Sequence, residues 1–152
     1  MEDTTKIKKR SEIPVEDKWA IEDLYSSDEA WEQTLATLEQ DKNTLAAYNG
    51  RLGESGQVLF EFLSLSEQTN VKAQRLGNYC MRKSDEDTRE AKYQAMTGKF
   101  ISVAVAIDAA TSFETPEIMQ ISDDVLEGFY VSCPELERYR RYLTNLRRRK
   151  DH

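Results

Sequence analysis

S-S-D-E-A-W-E-Q-T-L-A-T-L-E-Q-D-K-N-T-L-A-A-Y-N-G, Ser26 to Gly50, is the stretch whose reading decides the fold. Trp31, Leu35, Leu38, Leu45, Tyr48 and, just beyond, Leu52 recur at spacings of four, three, seven, three and four. Those intervals place all six on one face of an α-helix. Ser26 with Glu29 has the capping-box spacing that opens such a helix. Asn49-Gly50 is a stop signal, because glycine tolerates the left-handed backbone that ends a helix. The aromatic residues of the stripe are read as core, since helical spacing explains them without a peptide groove.

The same pattern repeats downstream. Ser55 or Gly56 starts a second helix, with Val58, Leu59, Phe62, Leu63, Leu65, Val71, Leu76, Tyr79 and Cys80 on its apolar face to about Arg82. Gly77 interrupts that face and marks a close helix crossing. Ser84-Asp85-Glu86-Asp87 reads as the next start, with acids at the positive end of a helix dipole. The third helix is expected to reach about Ser112. Met96, Phe100, Val103, Ile107 and Ala110 form its main stripe, and Ala104, Ala106 and Ala109 widen it. It is therefore expected to be the most buried helix. Phe113 to Ile118 breaks the helix and restarts one, with Pro116 in the first turn. Ser122 caps a short helix through Tyr130, Cys133-Pro134 ends it, and Leu136, Tyr139, Tyr142, Leu143 and Leu146 mark the last. No convincing period-two alternation occurs. The expected fold class is all-α, with antiparallel helical hairpins forming a bundle.

Residues 1–27 read differently. Lys6, Lys8, Lys9 and Arg10 cluster in what is expected to be a frayed tail. Residues 11–25 are expected to form an extended arm pinned by Trp19 and Tyr25. The domain expectation is thus an extended N-terminal arm over 1–27 and a helical domain over 28–152.

The chain of 152 residues is long enough for a sizeable core. Its 39% hydrophobic and 32% charged residues, six glycines and three prolines suit a charged helical protein. A net charge of −7 argues against non-specific nucleic-acid binding. Residues 1–20 contain no apolar run of the kind a secretory signal needs, and Ile101 to Ala110 is too short to span a bilayer. No membrane association and a cytoplasmic location are expected. Cys80 and Cys133 form no C-x-x-C motif, and no disulfide is expected between them.

Several constellations invite a chemical reading. Asp85, Glu86 and Asp87, and Asp123-Asp124, suggest calcium, yet neither group continues into an EF-hand loop. They read as acids at helix N-termini. Glu114 and Glu117 form a carboxylate pair suited to acid–base work, but surface charge at helical spacing explains them better. The cysteines and serines lack an internal histidine base, since the single histidine is His152. Arg140, Arg141, Arg147, Arg148, Arg149 and Lys150, interleaved with Tyr139 and Tyr142, are the strongest electrostatic feature. They read as a cationic helix end with snorkelling stems rather than a nucleic-acid site.

A family resemblance rests on anchors along nearly the whole chain. Arg10, Pro14, Lys18-Trp19, Leu24-Tyr25 and Trp31 resemble the R…P…K-W…L-Y…W opening of the oligoendopeptidase F family of zinc metallopeptidases, in the thimet oligopeptidase-like clan. Tyr79 and Met81, followed by Asp85-Glu86-Asp87-Thr88, resemble its Y-x-M…D-x-D segment. Phe113 with Pro116-Glu117-Ile118 resembles its F-x-x-P-E-I segment, and Tyr139 to His152 the helix that closes the region.

The resemblance implies an N-terminal helical region that helps wall a substrate channel for short peptides. It implies zinc and a general base in the full-length parent. A zinc site of this type needs H-E-x-x-H, which this chain does not contain. No residue here is therefore assigned as catalytic, cofactor-binding or metal-ligating. The expected partners are a catalytic domain beyond this chain, oligopeptide substrates of the parent, and a second copy of the isolated chain. The alternative reading is a stand-alone helical protein-interaction module.

Overall fold

The computed structural model describes residues 12–148, and the readings of the basic tail, Arg149, Lys150 and His152 lie outside them. All regular structure among the described residues is helical: α1 spans Asp28–Ala46, α2 Gly56–Glu86, α3 Ala91–Ala110, α4 Glu114–Gln120, α5 Asp123–Ser132 and α6 Arg140–Arg147. A 3-10 segment, Pro134–Tyr139, joins α5 to α6.

Side-chain pairings give the directions of the long helices. Asp28 meets Tyr79, Trp31 donates its indole N–H to the Leu76 carbonyl at 2.9 Å, and Asp41 pairs with Lys72. Positions rising along α1 thus meet positions falling along α2, so the two run antiparallel. Phe100 lies against Gly77, and Phe113 against Phe62, so α3 runs antiparallel to α2. Asp28–Lys92 and Glu32–Lys99 place α3 parallel to α1. The result is an up-down-up bundle with α2 central.

The core runs through it. Trp31, Leu38, Leu45, Leu52, Leu59, Phe62 and Leu76 are fully buried. Ile118, Leu136 and Leu143 continue it beneath α4 to α6. Gly56 allows the close approach of α5, because a Cβ there would lie 2.7 Å from the Phe129 carbonyl oxygen. Gly77 does the same for Phe100, whose ring would lie 2.8 Å from an added Cβ.

Five expectations need correction. The first helix is capped by Ser27, which accepts the Ala30 N–H at 3.2 Å, rather than by Ser26. The N-terminal arm is not simply extended. Val15–Asp17 and Ile21–Asp23 close 3-10 turns through Lys18 N–H to Val15 and Leu24 N–H to Ile21. Trp19 is no pin: it is 72% exposed, with the Arg82 guanidinium over its ring. Buried Ile21, and Tyr25 edge-on to Tyr79, hold the arm instead.

The α2/α3 boundary also falls later than Ser84. α2 continues through Glu86, and Asp87 makes the turn by accepting the Arg89 backbone N–H at 3.0 Å. Finally, α3 is not the most buried helix. Met96, Val103 and Ile107 face inward, while Ile101 is 48% and Val105 60% exposed. Its apolar residues surround the helix, but α1 and α2 cover only one side.

Candidate functional site

A concave surface of mixed chemistry lies between α2 and α6, a groove of about 400 Å³. Helical spacing on α2 brings Leu63, Glu67, Asn70 and Gln74 to one flank, while Tyr139 and Tyr142 come from the other side. The Tyr139 hydroxyl donates to Glu67 at 2.7 Å, and Arg138 pairs with the same carboxylate at 2.6 Å. The Tyr142 hydroxyl donates to Glu114 at 2.7 Å. Burial raises the Glu114 carboxyl above its ordinary range, and the Tyr142 bond offsets part of that rise. The groove offers phenols, amides and an apolar floor. Those groups can hold an extended peptide by hydrogen bonding and contact.

The structure separates Glu114 from Glu117. Glu117 turns to the α1–α2 connection and accepts the Gly50 N–H at 2.5 Å and the Leu52 N–H at 3.1 Å. It is a backbone clamp. Asp85 pairs with Arg82, and Asp87 with Arg89, whose guanidinium and backbone N–H hold that carboxyl down to about 2. Asp123 pairs with Arg147. Among the described residues, no group of three His, Cys, Asp or Glu is placed to hold a metal ion. Cys80 and Cys133 are both buried and free.

Two members of the basic cluster, Arg140 and Arg147, are committed to the fold. Arg140 forks between Glu127 and Glu137, and its guanidinium lies 3.9 Å from the centre of the Tyr130 ring. Arg147 donates to the carbonyls of Ile118 and Ile121, capping the end of α4. These arginines are structural ties rather than a free phosphate-binding array.

Sequence reading missed the network at the start of α1. Asp28 accepts from Tyr79 at 2.7 Å and pairs with Lys92 at 2.5 Å. Burial alone would raise the Asp28 carboxyl, but the bonds from Lys92 and Tyr79 outweigh it and hold the group below its usual value. Burial and Asp28 together push the Tyr79 phenol well up. The partners lie 51 and 64 positions apart in the chain, so no local pattern could pair them. Among the described residues, no helix is long and apolar enough to cross a membrane.

Comparison with known proteins gives this arrangement its context. Residues 117–152 match the oligopeptidase F family model. The chain is 31% identical to oligopeptidase PepF of Bacillus subtilis over 94% of its own length and 21% of the relative's. It is 27% identical to the group B oligopeptidase PepB of Streptococcus agalactiae, again over 94% of this chain and 24% of that one. The crystal structure of oligoendopeptidase-F from Enterococcus faecium superposes with a TM-score of 0.71, at 24% identity, over 79% of this chain and 24% of that one.

The fold is thus a helical region shared with peptidases. More narrowly, the chain carries the N-terminal region of the oligoendopeptidase F family. It spans about a fifth to a quarter of the length of the curated relatives it matches.

Proposed function

We propose that this chain is the part of an oligoendopeptidase F-like zinc endopeptidase that walls the channel for short peptides, and that it makes no bond chemistry by itself. The observation that carries this reading is the match over 94% of the chain to peptidases of which it spans only 21% to 24%. A wall of packed helices admits an extended peptide and excludes a folded protein. The α2–α6 groove supplies hydrogen-bonding groups for such a peptide at Asn70 and Gln74. In this reading the exposed side of α3 is covered by the catalytic part of the parent.

Zinc is the metal that the family resemblance implies. The described residues do not fit it, since no suitable ligand cluster occurs among them. Its ligands would lie in the rest of the parent. We place that parent in the cytoplasm, where buried free thiols such as Cys80 and Cys133 stay reduced.

Sequencing the native reading frame beyond the His152 codon tests the proposal. Continuation into a helix bearing H-E-x-x-H, with a later third ligand, supports it. A stop at that codon sinks it and leaves the stand-alone helical interaction module. Within a longer protein, Gln74→Ala and Asn70→Ala are expected to raise KM for oligopeptides while leaving kcat nearly unchanged, the pattern of lost ground-state binding. Unchanged KM in both would remove the groove from the substrate path.

A further inference from the structure

Asn49 is the one asparagine of the chain followed by glycine. Both residues are exposed in the turn between α1 and α2, and Gly50 has φ +81°. Glycine leaves its own backbone nitrogen unshielded, so an Asn-Gly pair is chemically open to attack from within the chain. The Gly50 nitrogen, once its proton passes to hydroxide, can attack Cγ of the Asn49 amide. The N–Cγ bond forms, the Cγ–Nδ2 bond breaks, and the nitrogen leaves as ammonia after taking a proton from water. Water then opens the resulting succinimide at either carbonyl, giving aspartate or isoaspartate. The balance is one water in and one ammonia out, with no oxidant or reductant.

That same nitrogen is the one held by Glu117. Its N–H donates to one carboxylate oxygen at 2.5 Å, while the Leu52 N–H takes the other at 3.1 Å. A charge-assisted bond of this kind is stronger than a neutral one. The carboxylate opposes loss of the Gly50 proton, because the nitrogen would become negative beside a fixed negative charge. The bond must also break before the nitrogen can turn toward Cγ. We propose that Asn49 is a site of slow self-modification to aspartate and isoaspartate, and that Glu117 governs its rate.

The product undoes the clamp that restrains it. Isoaspartate adds a methylene to the main chain at the corner, and a new carboxylate arises near that of Glu117. The bidentate hold on the α1–α2 connection weakens, and α4 loses its tie to that corner.

The test incubates the full chain at mildly alkaline pH and follows the one-dalton gain at position 49 by peptide mass mapping. Wild type is expected to gain mass slowly, and far more slowly than the same chain in denaturant. Glu117→Gln, verified as folded by circular dichroism, is expected to gain it several-fold faster. Leu35→Ala, which lowers stability away from this corner, is expected to stay near the wild-type rate. A folded rate equal to the denatured rate overturns the proposal, even if Glu117→Gln does not fold. So does an unchanged rate in folded Glu117→Gln, an equal acceleration in Leu35→Ala, or no gain at position 49 in folded wild type.

Discussion

Thr69 is 2% exposed in the middle of α2, and its hydroxyl has no hydrogen-bond partner among the described residues. A buried polar atom without a partner carries its desolvation cost uncompensated. Valine has the same branched shape without the hydroxyl. Thr69→Val is expected to stabilise the fold by about 1 kcal/mol, read as a higher urea midpoint at unchanged slope. A lower midpoint would show that the hydroxyl does find a partner.

Two carboxylates make opposite pH predictions. Burial raises Glu114. A carboxyl raised on folding contributes most below its unfolded value, and that contribution is lost as pH rises through its folded value. Glu114→Gln keeps an acceptor for Tyr142 and removes the ionisation. It is expected to raise stability at neutral pH, with the gain fading in acid. Asp28 is held down by Lys92 and Tyr79 despite its burial. Its contribution is present above the unfolded value and is lost as pH falls through the folded value. Asp28→Asn should therefore cost stability at neutral pH and progressively less in acid. Thermal melts of both variants across acid to neutral pH check the signs, and parallel curves for mutant and wild type would refute either.

At the scale of the helices, two glycines separate backbone cost from packing need. Gly98 lies in the interior of α3, and a Cβ there would meet nothing within 4 Å. Gly98→Ala is expected to stabilise by about 0.5–1 kcal/mol, the helix-propensity difference. Gly56→Ala faces the Phe129 backbone carbonyl, which cannot swing aside. It is expected to destabilise by about 1–3 kcal/mol, as overpacking does. Equal and opposite effects at the wrong positions would mean that α5 does not sit where Gly56 receives it.

The helices themselves were legible because their apolar spacing is local: Trp31, Leu35, Leu38 and Leu45 sit on one stripe, and all four are buried. Ser55 and Ser122 cap where the pattern placed them, accepting N–H groups of Val58 and Val125. The α2/α3 boundary was not legible, because Ser84 to Asp87 carries start signals that the helix overrides by one more turn. The Glu117 clamp was half-visible. Its motif could be read, but its partners, Gly50 and Leu52, lie 67 and 65 positions away. For the α2–α6 groove, the spacing of Tyr139 and Tyr142 was visible, while the facing flank on α2 depends on how helices cross.

For the molecule as a whole, the open question set by the fold is the uncovered side of α3. Ile101 and Val105 expose large apolar area in a chain whose mean hydropathy is −0.71. Exposed apolar faces drive association when nothing covers them. Two copies carry like charge, at −7 each. Association of the isolated chain is therefore expected to be weak, concentration-dependent and strengthened by salt, which screens the repulsion. Sedimentation of wild type should shift toward dimer with protein and salt, together with binding of a hydrophobic dye. Ile101→Lys with Val105→Lys should abolish both while leaving the helical signal intact, since neither side chain reaches the core. A strictly monomeric wild type that binds no dye at high concentration would mean that this face needs no cover. It would also remove the main structural reason for assigning α3 to a contact with the catalytic part.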